Sequence, residues 1–196
     1  VEIVDLVKTY GSGSLKKTAV DGLSLSLYNG QISCLLGHNG AGKTTTLSVL
    51  TGLYSPTSGD CYVFGYSVTH ARRAVYRLLG ICPQHDVLWL SLTVMEHLEL
   101  YATLKGVSRD KAAQAATTMS AACGIPEKAH TRAAALSGGM KRKLSVGCAL
   151  IGGSRAVLLD EPSSGMDPAS RRSMWELLRR IRSGRVVSSP RTTWTR

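Results

Sequence analysis

Apolar and polar residues alternate with a period of two in the first third of the chain. Residues 1–7 and 19–28 follow this pattern, and each stretch ends near a turn that contains glycine. Such alternation is typical of strands that bury one face and expose the other. Residues 60–64 form a further strand-like stretch after a turn that begins at Pro56. We therefore expect an antiparallel β part near the N-terminus.

Two other short stretches are apolar throughout. Residues 32–36 lead into a glycine-rich loop, and residues 156–159 end at the acidic pair Asp160-Glu161. Continuous apolar runs of this length are typical of parallel strands, because helices cover both faces of the sheet in an α/β domain. These two stretches predict a parallel core sheet.

Five stretches have the periodicity or composition of helices, namely residues 44–53, 94–105, 111–123, 144–151 and 169–183. Roughly half of the chain separates the glycine-rich loop from the strand at residues 156–159, which is more than a single βαβ crossover requires. We therefore expect an α/β chain with a helical subdomain at residues 84–150. This subdomain is inserted into a unit formed by residues 1–83 and 151–187.

The glycine-rich loop matches a phosphate-binding pattern. Residues 37–44 are Gly-His-Asn-Gly-Ala-Gly-Lys-Thr, which fits G-x-x-x-x-G-K-[ST]. A strand before the loop and a helix after it provide the context that the motif needs, and they argue against a chance glycine-rich turn. The N–H groups of such a loop and the N-terminus of the helix point at an anion. The sequence therefore predicts a nucleotide site.

Individual loop residues receive individual roles. Lys43 is expected to reach the β- and γ-phosphates, and the Thr44 hydroxyl is expected to bind Mg²⁺. For His38 we expect a backbone contact alone. The predicted nucleotide-binding residues of the loop are Gly37, His38, Asn39, Gly40, Ala41, Gly42, Lys43, Thr44 and Thr45.

Length and composition are those of one soluble globular domain. The chain has 196 residues, of which 43% are hydrophobic and 19% are charged. No apolar run approaches the ~20 residues of a membrane-spanning helix, and residues 1–10 are interrupted by charges, unlike a signal peptide. Five scattered cysteines without C-x-x-C spacing predict small core residues and no metal site. We expect the chain itself to be soluble and cytosolic.

The positive charge is concentrated towards the C-terminus. The formal net charge is +11, and residues 171–196 contain eight arginines and one acid, Glu176. This run contains no recognised nucleic-acid motif. A partly solvated helix face and an unusual tail explain the charge more simply, so we expect no nucleic-acid partner.

Four stretches outside the loop carry further chemistry. Asp160 ends a buried strand, where a carboxylate can hold Mg²⁺, and Glu161 can orient and deprotonate a water. This pair after four aliphatic residues resembles the Walker B motif of ABC ATPases. Residues 136–140, Leu-Ser-Gly-Gly-Met, resemble the ABC signature. Gln84 resembles the glutamine of the Q-loop, and residues 164–167, Ser-Gly-Met-Asp, resemble the D-loop.

The order and spacing of these motifs over residues 1–185 are similar to those of ABC ATPases throughout. The amino-acid sequences of these motifs are most similar to those of the A subfamily of ABC transporters, and to the N-terminal of its two nucleotide-binding domains. The resemblance implies a P-loop NTPase fold with a RecA-like core, and Mg²⁺-dependent hydrolysis of ATP. It implies that the catalytic residues are Lys43, Gln84 and Glu161. It implies that the Mg²⁺ ligands are Thr44, Gln84 and Asp160, and that the ring of Tyr10 stacks on adenine.

The resemblance also implies partners. In the family, two such domains close head to tail, so Ser137, Gly138 and Gly139 of one domain cover the γ-phosphate held by the other. Closure would act on transmembrane domains of the same transporter, at the cytosolic face of a membrane. The A subfamily is associated with the movement of lipids.

Several assignments have simpler alternatives. Tyr10 could pack beside a strand, and Gln84 could cap a turn. Ser137 is also a sound helix N-cap, which is compatible with a phosphate contact. We expect Lys-Arg-Lys at residues 141–143 on a solvated helix face. For the whole chain, the alternatives are an ATP-binding module or inactive fragment without turnover, and a soluble ABC ATPase outside transport.

The last residues depart from the family pattern. After a strand that begins at Val186, the family has a switch histidine within a His-His-Met-Asp-Glu-like run, whereas this chain continues Ser-Ser-Pro-Arg-Thr-Thr-Trp-Thr-Arg. Suppose that the codon of Arg191 ends in C, that the next four codons are ACC-ACA-TGG-ACG, and that the codon of Arg196 begins with AG. Reading from the third base of the Arg191 codon then gives His-His-Met-Asp-Glu. We hypothesise a frameshift or a gene-model error after Val187, which leaves the domain incomplete with an aberrant tail at residues 188–196. The alternative is a divergent tail.

Overall fold

A computed structural model describes residues 1–191. The strands are β1 (Glu2–Tyr10), β2 (Lys17–Ser26), β3 (Ile32–Leu36), β4 (Ser58–Val63), β5 (Tyr66–Ser67), β6 (Leu79–Cys82), β7 (Ala156–Leu159) and β8 (Val186–Arg191). The α-helices are α1 (Lys43–Leu50), α2 (Arg72–Leu78), α3 (Val94–Leu104), α4 (Arg109–Ala122), α5 (Gly138–Leu150) and α6 (Pro168–Ile181). The strands form two four-stranded sheets.

The first sheet is antiparallel, with the strand order β2-β1-β4-β5. Its longest pairing joins β1 to β2 and brings Tyr10 opposite Lys17, beside the glycine-rich loop region. Ile3 and Leu6 of β1 are buried, whereas most of their neighbours along the strand are exposed. The predicted antiparallel β part is therefore confirmed.

The second sheet is parallel, with the strand order β3-β8-β7-β6. Every residue of β7 is buried, and its alternate residues belong to two different cores. One core contains the helices α3–α6, and the other contains α1, α2 and the antiparallel sheet. The carboxyl ends of parallel strands meet at one edge of a sheet. The loops that follow β3, β6 and β7 are therefore brought together at that edge.

The helices α3, α4 and α5 lie between β6 and β7 in the chain. A capping box begins α3, because the Thr93 hydroxyl accepts from the Glu96 N–H (3.2 Å) and the Glu96 carboxylate accepts from the Thr93 N–H (2.7 Å). Leu98, Ala116 and Leu144, one from each helix, are buried in a common core. The three helices thus form a compact insertion beside the parallel sheet.

Two elements have little sequence signal. The seven residues of α2 include three arginines and bury only Val75, so no apolar period is visible. In β6, Gly80 interrupts the apolar run over four residues. An ideal Cβ on Gly80 would lie 1.9 Å from the Ala149 carbonyl oxygen, so glycine allows α5 to approach this strand.

The bounds of two other elements differ from the expectation. α5 begins at Gly138, although the apolar period is visible only from residue 144, because Arg142 and Ser145 occupy its buried face. β8 continues to residue 191 as a strand between β3 and β7. Its backbone pairs with β3 through residues that were expected to belong to an aberrant tail. Residues 192–196 of that predicted tail lie outside the described residues.

Candidate active site

A cleft of about 420 Å³ lies at the carboxyl edge of the parallel sheet. It is lined by residues from the loop before α1, from the loops after β6 and β7, and from the antiparallel sheet. These residues are Tyr10, Lys17, Thr18, Ala19, Asn39, Gly40, Ala41, Gly42, Lys43, Thr44, Thr45, Gln84, Asp160 and Glu161. Eleven of them are predicted site residues, so the structure brings four separate segments of the sequence into one cleft.

The loop before α1 has the backbone conformation that its glycines permit. Gly40 and Gly42 have φ angles of 86° and 84°, which lie in the left-handed region that favours glycine. A Cβ on Gly42 would lie 2.4 Å from the Ala19 carbonyl oxygen of β2. The loop is therefore held closely against the antiparallel sheet, with α1 beginning at Lys43.

The Lys43 side chain folds back over this loop. Its ammonium donates to the carbonyl oxygens of Gly37 and His38, at 3.0 Å for His38. Gly37 and His38 themselves do not line the cleft, whereas the other predicted loop residues do. The arrangement places a positive charge at the floor of the cleft, close to Asp160.

The acidic pair after β7 faces this charge. Burial and the neighbouring Glu161 charge raise the pKa of Asp160, and the charges of Arg142 and Lys43 oppose this increase. Glu161 has a φ of 45°, a left-handed conformation that is uncommon for a residue with a side chain. Such strain is concentrated at functional sites. The two carboxyl groups therefore form a strained, electronegative corner of the cleft.

Gln84 meets this corner from the loop after β6. Its Nε2 donates to Glu161 Oε2 at 3.3 Å, although the two residues are 77 positions apart in sequence. The contact places an amide beside a carboxylate at the edge of the cleft. An amide at this position can orient a group that approaches Glu161.

Arg142 corrects a sequence expectation. It was expected on a solvated helix face, but it is only 4% exposed and its guanidinium points at the loops after β6 and β7. The adjacent residues Lys141 and Lys143 are partly exposed, as expected. The error arises because a charged residue at a core-facing position cannot be recognised from the period of the helix alone.

The predicted signature residues lie outside this cleft. Ser137 caps α5, and its hydroxyl accepts from the Met140 N–H at 3.3 Å, so the N-cap alternative is confirmed. Ser137 and Gly138 are exposed at the N-terminus of α5. Asp167 of the predicted D-loop caps α6 by accepting from the Ala169 and Ser170 N–H groups.

Three cleft residues have no motif in the sequence. Lys17, Thr18 and Ala19 begin β2, and the pairing of β2 with β1 brings them beside Tyr10. The Tyr10 ring meets the Tyr54 ring edge to face, with centroids 5.9 Å apart. Strand alternation is the only signal at these positions, and alternation does not reveal which strand residues border a cleft.

The donor set of the cleft suits Mg²⁺. Mg²⁺ is commonly held by one or two carboxylates together with substrate phosphates, and not by an all-protein cage. The cleft offers the Thr44 hydroxyl, the Gln84 amide and the Asp160 carboxylate. In residues 1–191, no cluster of three or more His, Cys, Asp or Glu side chains could hold a metal by itself.

No helix within the described residues is long and apolar enough to cross a membrane.

The fold and the cleft define a class of protein, namely a P-loop nucleotide-binding domain with a helical insertion. The family model described as "ABC transporter" matches residues 20–164. The chain therefore belongs to the ABC transporter family.

The most similar relatives include A-subfamily proteins. Human "Phospholipid-transporting ATPase ABCA3" is 51% identical over 187 residues, which are 95% of this chain and 11% of that protein. Human "Retinal-specific phospholipid-transporting ATPase ABCA4" is 51% identical over 171 residues, which are 87% of this chain and 8% of that protein. "ABC transporter A family member 2" of Dictyostelium discoideum is 46% identical over 95% of this chain. The recognition of the A subfamily is confirmed, and the chain spans only a small part of each relative.

Solved structures show the same fold. A structure titled "Dimeric structure of a post-hydrolysis state of the ATP-binding cassette MJ0796 bound to ADP and Pi" aligns with a TM-score of 0.84 at 22% identity, over 96% of this chain and 86% of that one. A second, titled "Structure of ATP binding subunit of ABC transporter", aligns with a TM-score of 0.83 at 26% identity, over 97% and 78%. The predicted P-loop NTPase fold is therefore confirmed.

Proposed function

We propose that this chain is the ATP-binding and ATP-hydrolysing domain of an ABC transporter. The observation that supports this function best is the meeting of Lys43, Gln84 and Glu161 in one cleft, although they belong to three separate segments of the chain. A cation, an amide and a carboxylate at one site are the groups needed to bind a triphosphate and activate a water.

Nucleotide binding begins at the phosphate loop. The N–H groups of residues 37–45 and the N-terminus of α1 donate to phosphate oxygens. Lys43 already points into the loop, and it exchanges two backbone carbonyls for the β- and γ-phosphates. Tyr10 stacks on adenine, and the edge of Tyr54 restricts the orientation of the Tyr10 ring.

Thr44, Gln84 and Asp160 are the residues that would hold Mg²⁺. When bound, the cation neutralises phosphate charge as bonds to the γ-phosphate change. The raised pKa of Asp160 fits this role, because its charge is destabilised by burial and by Glu161 until a cation is present.

Glu161 acts as the general base. Its carboxylate accepts a proton from the water that attacks the γ-phosphate, and Gln84 orients the water through the amide that now contacts Glu161. The strained backbone of Glu161 is consistent with a side chain that must be directed into the cleft.

The exposed signature indicates a site shared between two domains. Ser137, Gly138 and Gly139 do not line this chain's own cleft, and Ser137 and Gly138 are exposed at a helix N-terminus that suits a phosphate. We propose that they cover the γ-phosphate of a second ABC domain in a head-to-tail dimer. A solved structure with the same fold is described as dimeric.

The relatives suggest the larger assembly. Two of them are named as phospholipid-transporting ATPases. We propose that this domain acts on transmembrane domains of one transporter at the cytosolic face of a membrane, with lipid as the transported substrate. Within the domain, we assign residues 1–83 and 151–187 to the β part and RecA-like core, and residues 84–150 to the helical subdomain.

The proposal is tested by removing the Lys43 ammonium. Lys43→Ala deletes a charge-assisted contact with phosphate, and such bonds contribute about 1.5–3 kcal/mol each. We therefore expect MgATP to bind at least about tenfold more weakly, measured by titration. Lys111→Ala, which removes an exposed lysine of α4 outside the cleft, is the matched control. Unchanged affinity in folded Lys43→Ala would contradict the assignment of the loop.

The principal alternative is an ATP-binding module without turnover, because no switch histidine is found at its expected position. Phosphate release from a preparation that binds MgATP distinguishes the two. Turnover that disappears with Glu161→Gln supports hydrolysis, whereas binding without phosphate release supports the module.

A further inference from the structure

The buried Arg142 guanidinium contacts both loops that carry catalytic groups. Its Nη1 donates to the Pro83 carbonyl oxygen at 2.5 Å, its Nη2 to the Asp160 carbonyl oxygen at 2.5 Å, and its Nε to the Pro162 carbonyl oxygen at 3.1 Å. Nη1 also forms an ion pair with Asp86 Oδ1 at 3.3 Å. All five N–H groups belong to a planar, rigid fork, so one side chain fixes several acceptors relative to one another.

The carbonyl acceptors lie next to the groups that are proposed to do the chemistry. Pro83 immediately precedes Gln84, while Asp160 and Pro162 flank Glu161. Their positions set the backbone from which the Gln84 amide and the Glu161 carboxylate extend. The 3.3 Å contact between Gln84 and Glu161 therefore depends on a fork that holds both backbones.

The Asp86 carboxylate completes this network. It accepts from the Ser145 hydroxyl at 2.9 Å, one turn along α5 from Arg142. Only Arg142 is buried in this ion pair, because its side chain is 5% exposed while that of Asp86 is 26% exposed, and such a pair is weak evidence for a purely stabilising role. A buried charge that is directed at the backbone of two active-site loops indicates positioning.

The same helix carries the signature. Ser137 caps the N-terminus of α5, and Arg142 lies in the second turn of this helix. We infer that Arg142 is a positioning residue that ties the signature helix to the Gln84 and Glu161 loops, so that a ligand at the N-terminus of α5 affects the chain's own cleft. This inference rests on the proposed function. Any shift of α5 relative to β6 and β7 must either carry the two loops along or break the hydrogen bonds of Arg142.

Two variants distinguish the hydrogen-bonding geometry of the Arg142 guanidinium from its positive charge. Arg142→Lys keeps a cation that can pair with Asp86 but cannot reach all four acceptors, and Arg142→Gln removes the charge. Lys143→Gln, at the adjacent and partly exposed position of α5, is the matched control. Thermal unfolding of the full chain, without nucleotide, establishes that each variant is folded.

The first measurement is ATP affinity with Mg²⁺ and with EDTA. Among the described residues, the hydrogen bonds of Arg142 go to the loops after β6 and β7 and not to residues 37–45. Metal-free ATP should therefore bind Arg142→Lys as it binds the parent. The metal ligands Gln84 and Asp160 depend on the fork, so the gain in affinity on adding Mg²⁺ should fall about fivefold or more in both variants. Lys143→Gln should keep the gain of the parent.

The second measurement connects the signature to the cleft. MgATP-driven dimerisation, followed by gel filtration, should be weaker in Arg142→Lys than in Lys143→Gln. A purely structural role predicts a different result. Compared with Arg142→Gln, the Arg142→Lys variant would then recover both the unfolding temperature of the parent and its Mg²⁺-dependent gain in ATP affinity.

The outcomes separate this inference from the proposed function. If folded Arg142 variants keep the full Mg²⁺ gain and dimerise like the parent, the inference is wrong although the nucleotide site stands. If neither variant folds, Arg142 is a structural residue and the inference is also wrong. If the parent does not bind MgATP, or if Lys43→Ala binds as well as the parent, the proposed function fails first.

Discussion

Adjacent carboxylates at the end of β7 have different surroundings. Asp160 is partly buried, lies near Lys43 and has a raised pKa, which suits a ligand for a cation. Glu161 has a left-handed backbone and contacts Gln84. Because the surroundings differ, we expect the two side chains to have different roles although they are neighbours in sequence.

Substitution of each acid should therefore have a different effect. Glu161→Gln keeps the shape of the side chain but cannot accept a proton, so hydrolysis should fall by about 10²–10⁴-fold while ATP still binds. The ATP-bound dimer should persist. Asp160→Asn should instead reduce the Mg²⁺-dependent part of the affinity, because a charged group beside the cation is lost. Phosphate release, nucleotide titration and gel filtration measure these effects.

The comparison of the two acids needs a parent chain that hydrolyses ATP at a measurable rate, and we expect this to require a switch histidine. We expect slow turnover without it, so the acids are best compared in a chain whose tail is restored to His-His-Met-Asp-Glu. Hydrolysis by Glu161→Gln at the parent rate would show that Glu161 is not the base.

The cysteines behave mostly as the sequence predicts. Four of the five are buried free thiols, and only Cys34 is exposed. Burial raises the pKa of the Cys61, Cys82 and Cys123 thiols to about 12. These side chains are therefore protonated at neutral pH and act as small core residues.

At the scale of elements, the contact between β6 and α5 depends on a glycine. The Ala149 carbonyl oxygen of α5 occupies the space where a side chain at position 80 would begin. This contact holds the strand that leads to Gln84 against the helix that carries Arg142. The geometry of the cleft therefore depends on a close approach of two backbones.

Gly80→Ala should separate these two elements. The added Cβ would be 1.9 Å from a backbone oxygen, so the strand or the helix must shift. We expect a loss of about 2 kcal/mol of stability, measured by urea unfolding. Gly138→Ala is the control for stability, since its φ is not positive and its Cβ would have no neighbour within 4 Å. Equal stabilities for both variants would contradict the proposed contact.

At the scale of the whole molecule, the arginine excess lies on the outer face of an amphipathic helix. Arg171, Arg172, Arg179 and Arg180 of α6 are exposed, whereas Met174, Leu177 and Leu178 are buried. The arginines in the last turn of α6 also interact favourably with the negative end of the helix dipole. These observations explain the charge without a nucleic-acid partner.

We therefore predict no nucleic-acid binding tighter than about 10⁻⁶ M at physiological salt, for duplex or single strands. Fluorescence anisotropy over a series of salt concentrations measures this. Micromolar or tighter binding that weakens steeply with salt, and that is lost in an Arg179→Gln/Arg180→Gln variant, would contradict the prediction.

The strand β8 gives physical support to the frameshift hypothesis. It lies between β3 and β7 in the middle of the parallel sheet, where strands are normally apolar. Ser188 is completely buried, and its hydroxyl has no hydrogen-bond partner among the described residues. Pro190 pairs opposite Leu35 and brings no N–H to the sheet. The chain after Val187 is therefore poorly suited to the position that it occupies.

We predict that the transcript contains the apolar strand and the switch histidine in another frame. If Ser189 has a TCN codon, the codon that starts at the third base of Ser188 is NTC, which encodes only Phe, Leu, Ile or Val. Sequencing through codons 186–196 is the test. An uninterrupted message with codons that do not yield His-His-Met-Asp-Glu in the shifted frame would contradict the hypothesis.

The sequence by itself determines the elements whose signals are local. The loop from Gly37 to Thr44 is recognisable because its glycines, lysine and threonine must be adjacent to surround a phosphate. β7 is recognisable because a strand buried on both faces must be apolar throughout. The acidic pair after β7 and the cap at Ser137 are visible for the same reason, since each depends on neighbours within a few residues.

Only the tertiary structure decides what depends on distant parts of the chain. The contact of Gln84 with Glu161, the border that β2 gives to the cleft, and the short elements α2 and β6 all depend on packing between segments far apart in sequence. Arg142 is the clearest case, because its charge and its charged neighbours suggest solvent, whereas the acceptors that it reaches come from two distant loops. A charge becomes a core residue only where the fold supplies its partners.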